Sequence, residues 1–445
     1  MIDLNEGKAA FLNDFERQEA FLSRFGSKGL HDLRRSALSR FEELGFPSPS
    51  EEEWRFTPLG PLTKIPFQLS PNGISQRESE VAERLQPMGI APPDAVLLLN
   101  GRCARPLNSA GLPENACVQP LLLALSEKQE FVERHLGRYA SFETHPFTAL
   151  NTAFIGDGAF VYIPKNTTVT KPIFLVYWSQ SSGEPTVTHP RTLIVAEESS
   201  QATIVEVFLG RPNDVYLTNA VAEVVCGPNA SIDYYKIQDE SKEAFHVHTL
   251  QVQQSRDSTF SSHAFAFGSV LARNEINSVL DDEGCSCTLN GLYFASGHQL
   301  IDNHTRIEHA RPHCSSHELY KGILDGHGHG VFNGRIHVHP NAQKTDAKQT
   351  NMTLLLSDDA VIHSQPQLEI FADDVKCTHG ATIGQLDADA LFYLRTRGIG
   401  KEEARSLLTY AFANDIIQRV RVDLVRRQLE ALFLHRHQPT GGRTT

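Results

Sequence analysis

The chain has 445 residues, 40% of them hydrophobic, and a formal net charge of −12 with its 20 histidines neutral. At roughly 100–200 residues per domain it has room for two to four units. The acidic balance excludes broad nucleic-acid binding, which needs a basic patch to displace counterions. The start, MIDLNEGKAAFLNDF, lacks the apolar core of a signal peptide, and no stretch nears ~18 uninterrupted apolar residues, so no membrane span is expected. Seven cysteines, an odd number with no Cys-x-x-Cys pair, argue against a disulfide framework and for the cytoplasm.

Residues 1 to about 45 read as helical. Leu12, Phe15, Phe21, Leu22 and Phe25 recur at helical intervals, as do Leu30, Leu33, Leu38, Phe41 and Leu44, with Gly45 at a C-cap position. FPSPSEEEWRFTPL breaks the pattern, and 57–120 is irregular apart from a strand at AVLLLN. LLLALSEKQEFVERHLGRY reads as one helix.

The texture changes near 146, where strands of four to eight residues follow one another to about 390. GAFVYIP, KPIFLVYW, RTLIVAE, ATIVEVF, SIDYYKIQ and QLEIFA are examples. No amphipathic helix intervenes, which excludes a βαβ pattern. Cys287, Cys314, Thr345 and Cys377 open similar stretches, a spacing that suits successive coils of a solenoid, with tandem β-sandwiches as the rival. From 391 the chain is helical again. Gly400 is placed as an N-cap, Glu402 and Glu403 lie at the positive end of the dipole, and the tail QPTGGRTT is expected to be disordered.

Two features carry chemistry. Nine histidines lie between 298 and 339, and His-x-His occurs at 246/248, 327/329 and 337/339. Imidazole is the commonest metal ligand, so a cupin-like metalloenzyme is the alternative reading, although no carboxylate follows these pairs in sequence. Most of these histidines read as outward polar or turn residues. In DVKCTHGATIG, Cys377 and His379 share one face if the segment is a strand. They suit zinc or cluster iron but supply two of about four ligands, so the rest must come from elsewhere. The bland reading is a packed cysteine beside a hydrogen-bonded histidine. CSC at 285–287 places two more thiols on one strand face. There is no P-loop, so the chain is not expected to bind ATP.

Several stretches together carry a resemblance: HPFTALNTAFIGDGAFVYIPKNTTVTKPI, HPRTLIVAEESSQATIVEVF, and DAKQTNMTLLLSDDAVIHSQPQLEIFADDVKCTHGATIGQLDADALFYLRTRGIGKEEARSLL. Over about 145–435 the chain resembles the SufB/SufD family of iron–sulfur cluster assembly scaffolds, in its SufD rather than its SufB form. Gly400 stands where the family often has serine. The resemblance implies a mainly β fold with helical termini. It divides into an N-terminal helical domain (1–145), a right-handed parallel β-helix (146–390) and a C-terminal helical domain with the tail (391–445). It implies a non-enzymatic subunit that pairs with SufB through the β-helices and binds the SufC ATPase through its C-terminal helices, where Arg405, Leu408, Phe412 and Ile416 are the candidate contacts. It also implies a transient cluster shared with SufB at His379, with Cys377 beside it, and reduced flavin at the level of the complex with no residue assigned here. An exposed strand edge at the same surface makes a homodimer of the isolated chain a further expectation.

Overall fold

The structure, a computed structural model, describes residues 4–70, 78–91, 94–107, 111–181 and 183–435. The tail from 438, expected to be disordered, lies outside them. Two helices, Leu4–Leu22 and Lys28–Leu44, open the chain. Ser27 caps the second through its hydroxyl on Leu30 N–H, and Gly45, at φ 65°, ends it. Their aromatic stripe, Phe11, Phe15 and Phe41, packs with Trp54 and Phe147 against Val187, Leu217 and Phe245 of the following sheet.

Two helix expectations are corrected. The segment from Leu121 is not one helix but two, Leu121–Glu127 and Gln129–His135, broken at Lys128 (φ −132°, ψ 38°). The break lets Leu121, Leu125, Val132 and Leu136 enter one cluster. The stretch at 146 does not begin with strands: Pro146–Ala153 is a helix, started by its proline and buried along its whole length.

From Gly158 the chain alternates between an eleven-stranded and a ten-stranded sheet, one strand to each in every coil. Neighbouring strands pair parallel and in register, for example Ser286 with Ser315, Ser315 with Asp346 and Asp346 with Lys376. This is a parallel β-helix of about eight coils. The N-terminal part adds strands to both sheets. Ala95–Leu99 pairs parallel with Ile173–Ser179, and Arg102–Arg105 and Cys117–Pro120 close the sheets antiparallel. Among the described residues no helix is long and apolar enough to cross a membrane.

The repeat lies in a corner. Ser199, Asn229, Asp257, Gly284, His313 and Lys344 all take left-handed backbone, φ between 55° and 75°. Each stands two residues before a strand of the ten-stranded sheet. Asn, Asp and Gly tolerate this conformation best. The residue after each is small and faces inward: Ser200, Ala230, Ser258, Cys285, Cys314 and Thr345. The last four strands of this sheet begin at 286, 315, 346 and 376, so their spacings are 29, 31 and 30. Cys314 and Thr345 therefore share a column with Cys285. Cys287 instead aligns with Ser316, Ala347 and Cys377. The four marker residues named above mix two columns two residues apart, so their own offsets are an uneven 27, 31 and 32.

The C-terminal stretch forms three helices, Ala388–Thr396, Lys401–Ile417 and Asp423–His435, with Gly400 as the N-cap of the second. The latter two lie on the outer face of the ten-stranded sheet, with Ile416, Val420, Leu429 and Phe433 against Val205, Tyr235 and Phe267.

A buried ion pair of the solenoid anchors the N-terminal part through hydrogen bonds. Arg191 and Glu223, both fully buried, stand 2.7 Å apart on adjacent strands. Glu223 also accepts backbone N–H bonds from Gly137, Tyr139 and Ala140 at 2.8, 2.8 and 3.1 Å, and Arg191 donates to Asn151 at 3.0 Å. Removing one partner of such a pair leaves a buried charge uncompensated. Glu223→Ala is expected to lower stability by about 3–5 kcal/mol; urea unfolding checks it, and a loss under about 1 kcal/mol would show that water replaces the carboxylate.

Candidate functional site

The last coil differs from all others. On inner coils the lumen-facing residues are buried by coils on both sides. The final strands, Val361–Ile370 and Lys376–Gln385, are the edges of the two sheets and have a neighbour on one side only. Ile383 is 51% exposed and Phe371 60%. Every residue of the final strand except Cys377 is exposed. Apolar groups on an unpaired strand edge are costly in water and are normally covered.

Cys377 and His379 stand on this strand. Their register partners are Ala347 and Gln349, which are 1% exposed and face the lumen. Both side chains therefore face the lumen at its open end, on the axial face of the stack and not on an outer wall. Cys377 is half-buried against the cluster of Ile336, Val338 and Ala347. That burial, with Asp346 nearby, pushes its thiol pKa up. It is a neutral thiol at physiological pH, and a metal must displace its proton to bind. His379 is exposed, and among the described residues its imidazole has no hydrogen-bond or ion-pair partner. Among the described residues no three of His, Cys, Asp and Glu form a group able to hold a metal ion. Cys377 and His379 thus stand two apart on one face with no third such group beside them among the described residues.

A polar column leads to His379 from inside. Glu318, Gln349 and His379 are directly in register on successive strands. Gln349 Nε2 donates to Glu318 Oε2 at 2.8 Å. Glu318 is 3% exposed, and burial pushes its carboxyl up to about 7, against the lowering effect of hydrogen bonds from Thr305 and Gln349. Sequence reading missed this column, because Glu318 and Gln349 look like surface residues until the register aligns them. An acid whose folded pKa is raised stabilises the fold below its unfolded value and loses that contribution as pH rises through the folded one. Glu318→Gln is therefore expected to gain stability over the wild type as pH climbs from about 4.3, the ordinary glutamate value, through about 7. Urea midpoints at pH 5 and 8 measure this, and an equal difference at both would refute it.

The other candidates fall elsewhere. His246 and His248 are buried in the lumen, where Glu240 Oε2 lies 2.7 Å from His246 Nδ1 and Glu206 Oε2 lies 3.6 Å from His248 Nε2. Burial lowers the His248 pKa to about 3, so it is neutral. Of the nine histidines between 298 and 339 only His309 is buried, as expected of outward or turn residues; His246 and His248 are the exceptions, buried like His189 and His263. Cys285 and Cys287 are both buried in the lumen with Cys226 and Cys314, remote from solvent. His327 is exposed and stacks on His298, ring centres 4.9 Å apart, while His337 and His339 lie on an outer face. In the C-terminal helices, Arg405 donates to Leu356 C=O at 3.0 Å, and Lys321 Nζ sits 4.7 Å from the Phe412 ring centre. Ile416 is fully buried and Leu408 half-buried. Ile416, Phe412 and Arg405 all make contacts with the chain's own solenoid. The groups turned outward are Phe392, Tyr393 and Leu407, 67%, 57% and 40% exposed.

A two-sheet parallel solenoid with helical ends, its last coil uncapped and carrying a thiol beside an imidazole, defines a β-helical protein. The model of the SUF system FeS cluster assembly SufBD core domain matches residues 177–412, and that of the SufBD protein N-terminal region matches 5–175. The chain belongs to the SufBD family of iron–sulfur cluster assembly proteins. It is 32% identical over 413 residues to an iron–sulfur cluster assembly SufBD family protein of Synechocystis sp., covering 91% of this chain and 90% of that one. It is 28% identical over 397 residues to the iron–sulfur cluster assembly protein SufD of Escherichia coli (88% and 90% covered). The SufD of Bacillus subtilis is 29% identical over 417 residues (91% and 93% covered).

Proposed function

We propose that this chain is a SufD-type, non-catalytic scaffold subunit that builds iron–sulfur clusters at a seam with SufB. The observation that carries the reading is the uncovered last coil, with Cys377 and His379 on its exposed axial face. A second solenoid seated there would continue both sheets, cover Ile383 and Phe371, and bring the missing ligands. Histidine is a neutral ligand and binds iron less firmly than thiolate, which suits a cluster that must leave. Flavin belongs to the assembled complex, and the chain works in the cytoplasm.

SufC, in this reading, docks on the outward face of the C-terminal helices around Phe392, Tyr393 and Leu407. Their inward face grips the solenoid through Lys321, which donates to Phe412 C=O and pairs with Asp415, both at 3.0 Å. A pull on the helices is thereby passed to the sheet.

Two experiments test the reading. Co-expression of His379→Ala with SufB and SufC is expected to yield an intact complex carrying several-fold less cluster; unchanged cluster content would remove His379 from the ligand set. Ile383→Asp places a charge on the seam and is expected to abolish co-purification with SufB while the chain still melts cooperatively. Retention of SufB by that variant would place the pairing surface elsewhere.

A further inference from the structure

His-x-His at 337/339 was singled out in the sequence, and the scaffold role uses neither residue. In the strand His329–Val338 the alternate residues Ile336 and Val338 are fully buried in the lumen, so His337 points outward, and His339 follows on the same side. The carboxylate that the sequence lacks after this pair comes from the neighbouring coils. Glu308 and Glu369 are the register partners of His337 on either side. His337 Nδ1 lies 2.7 Å from Glu369 Oε2, and His339 Nε2 lies 2.7 Å from Glu308 Oε1. Each imidazole is thus held by a carboxylate at one nitrogen and has the other nitrogen to offer: Nε2 of His337 and Nδ1 of His339. This is the usual outer-shell arrangement of metal-binding histidines. The ring centres are 4.7 Å apart. With metal–nitrogen bonds of about 2.1 Å, two imidazoles bound cis to one ion have centres roughly 4.5–5 Å apart. The side chains are 22% and 38% exposed, so an ion can reach them from solvent.

We propose that His337 and His339 form a binding site for a divalent transition-metal ion, oriented by Glu369 and Glu308, with its remaining positions open to water or an incoming ligand. Arg306, 3.2 Å from Glu308, and Arg335, 3.7 Å from Glu369, offset the two carboxylates. The cluster is close to neutral, so the ion is held exchangeably rather than locked in. The site lies one strand from the uncovered edge, with exposed Phe371 against His337 at 5.4 Å. Identifying the physiological ion as ferrous iron in transit to a cluster rests on the proposed function; the site itself does not.

The test is anaerobic titration of the full chain with Co2+, read by visible absorption, and with Fe2+, read by calorimetry. One ion per chain is expected. The double variant His337→Ala/His339→Ala should lose it. Glu308→Gln/Glu369→Gln, with both imidazoles present, should weaken it about tenfold. His298→Ala/His327→Ala should bind as the wild type does. Melting curves verify folding, and His337→Gln/His339→Gln replaces the alanine variant if that one melts early. Absence of stoichiometric Co2+ binding, unchanged binding in the double histidine variant, or loss in His298→Ala/His327→Ala would overturn the proposal. The two readings fail separately: the scaffold role falls if His379→Ala leaves cluster content intact, whatever happens to Co2+.

Discussion

A parallel solenoid is held together by one constraint: each coil must be covered by the next. The in-register ladders satisfy backbone groups only between coils, and lumen side chains are dry only when sandwiched. Ala347 and Gln349 are buried because a further strand lies beyond them, whereas the next residues in the same columns, Cys377 and His379, are not. The same structural position changes from core to surface in a single step. The candidate ligands sit where the fold runs out of its own material. The candidate site and the uncovered end of the fold are here the same place.

The interior is unusually polar for a core of this size. Glu206, Lys236, Glu240, His246 and His248 are all buried in it, as is Glu318 nearer the open end. Lys236 Nζ is bonded to Asn274 and lies over Phe208, and burial lowers its pKa to about 7. Groups of this kind are expensive to bury unless paired. Several pair between coils, as Lys236 does with Asn274, Glu206 with Tyr234 and Glu318 with Gln349, so coils cannot slip register without breaking them. Specificity of stacking is the physical return for that cost.

This interior also explains which parts of the architecture could be read from residues alone. Strands such as Ile173–Ser179 and Arg191–Ala196 announce themselves as apolar runs. Leu271–Leu280, Leu300–His309, Ser315–Leu324 and Asp346–Leu355 do not, because Asn274, Asn303, Glu318 and Gln349 occupy inward positions where alternation rules expect aliphatics. The helical ends were legible from their period, but the breaks at Lys128 and around 418–422 were not, since tertiary packing decides them. For the site, the pairing of Cys377 with His379 on one face follows from strand geometry. That the face is axial, and that Gln349 and Glu318 stand beneath it, depends on register across gaps of 30 and 31 residues, to which local patterns are blind.

The two ends of the stack are unlike. At the first end, the antiparallel strands Arg102–Arg105 and Cys117–Pro120 are four residues each and finish the sheets with chain running the wrong way for further parallel growth. Among the described residues, the far tip instead leaves two ten-residue edge strands unpaired. In the proposed reading a partner seated there meets it about a twofold or pseudo-twofold axis, and the contact closes on itself. Head-to-tail growth into a filament, the standing hazard of open β-stacks, is limited by the shortness of the two edge strands at the first end.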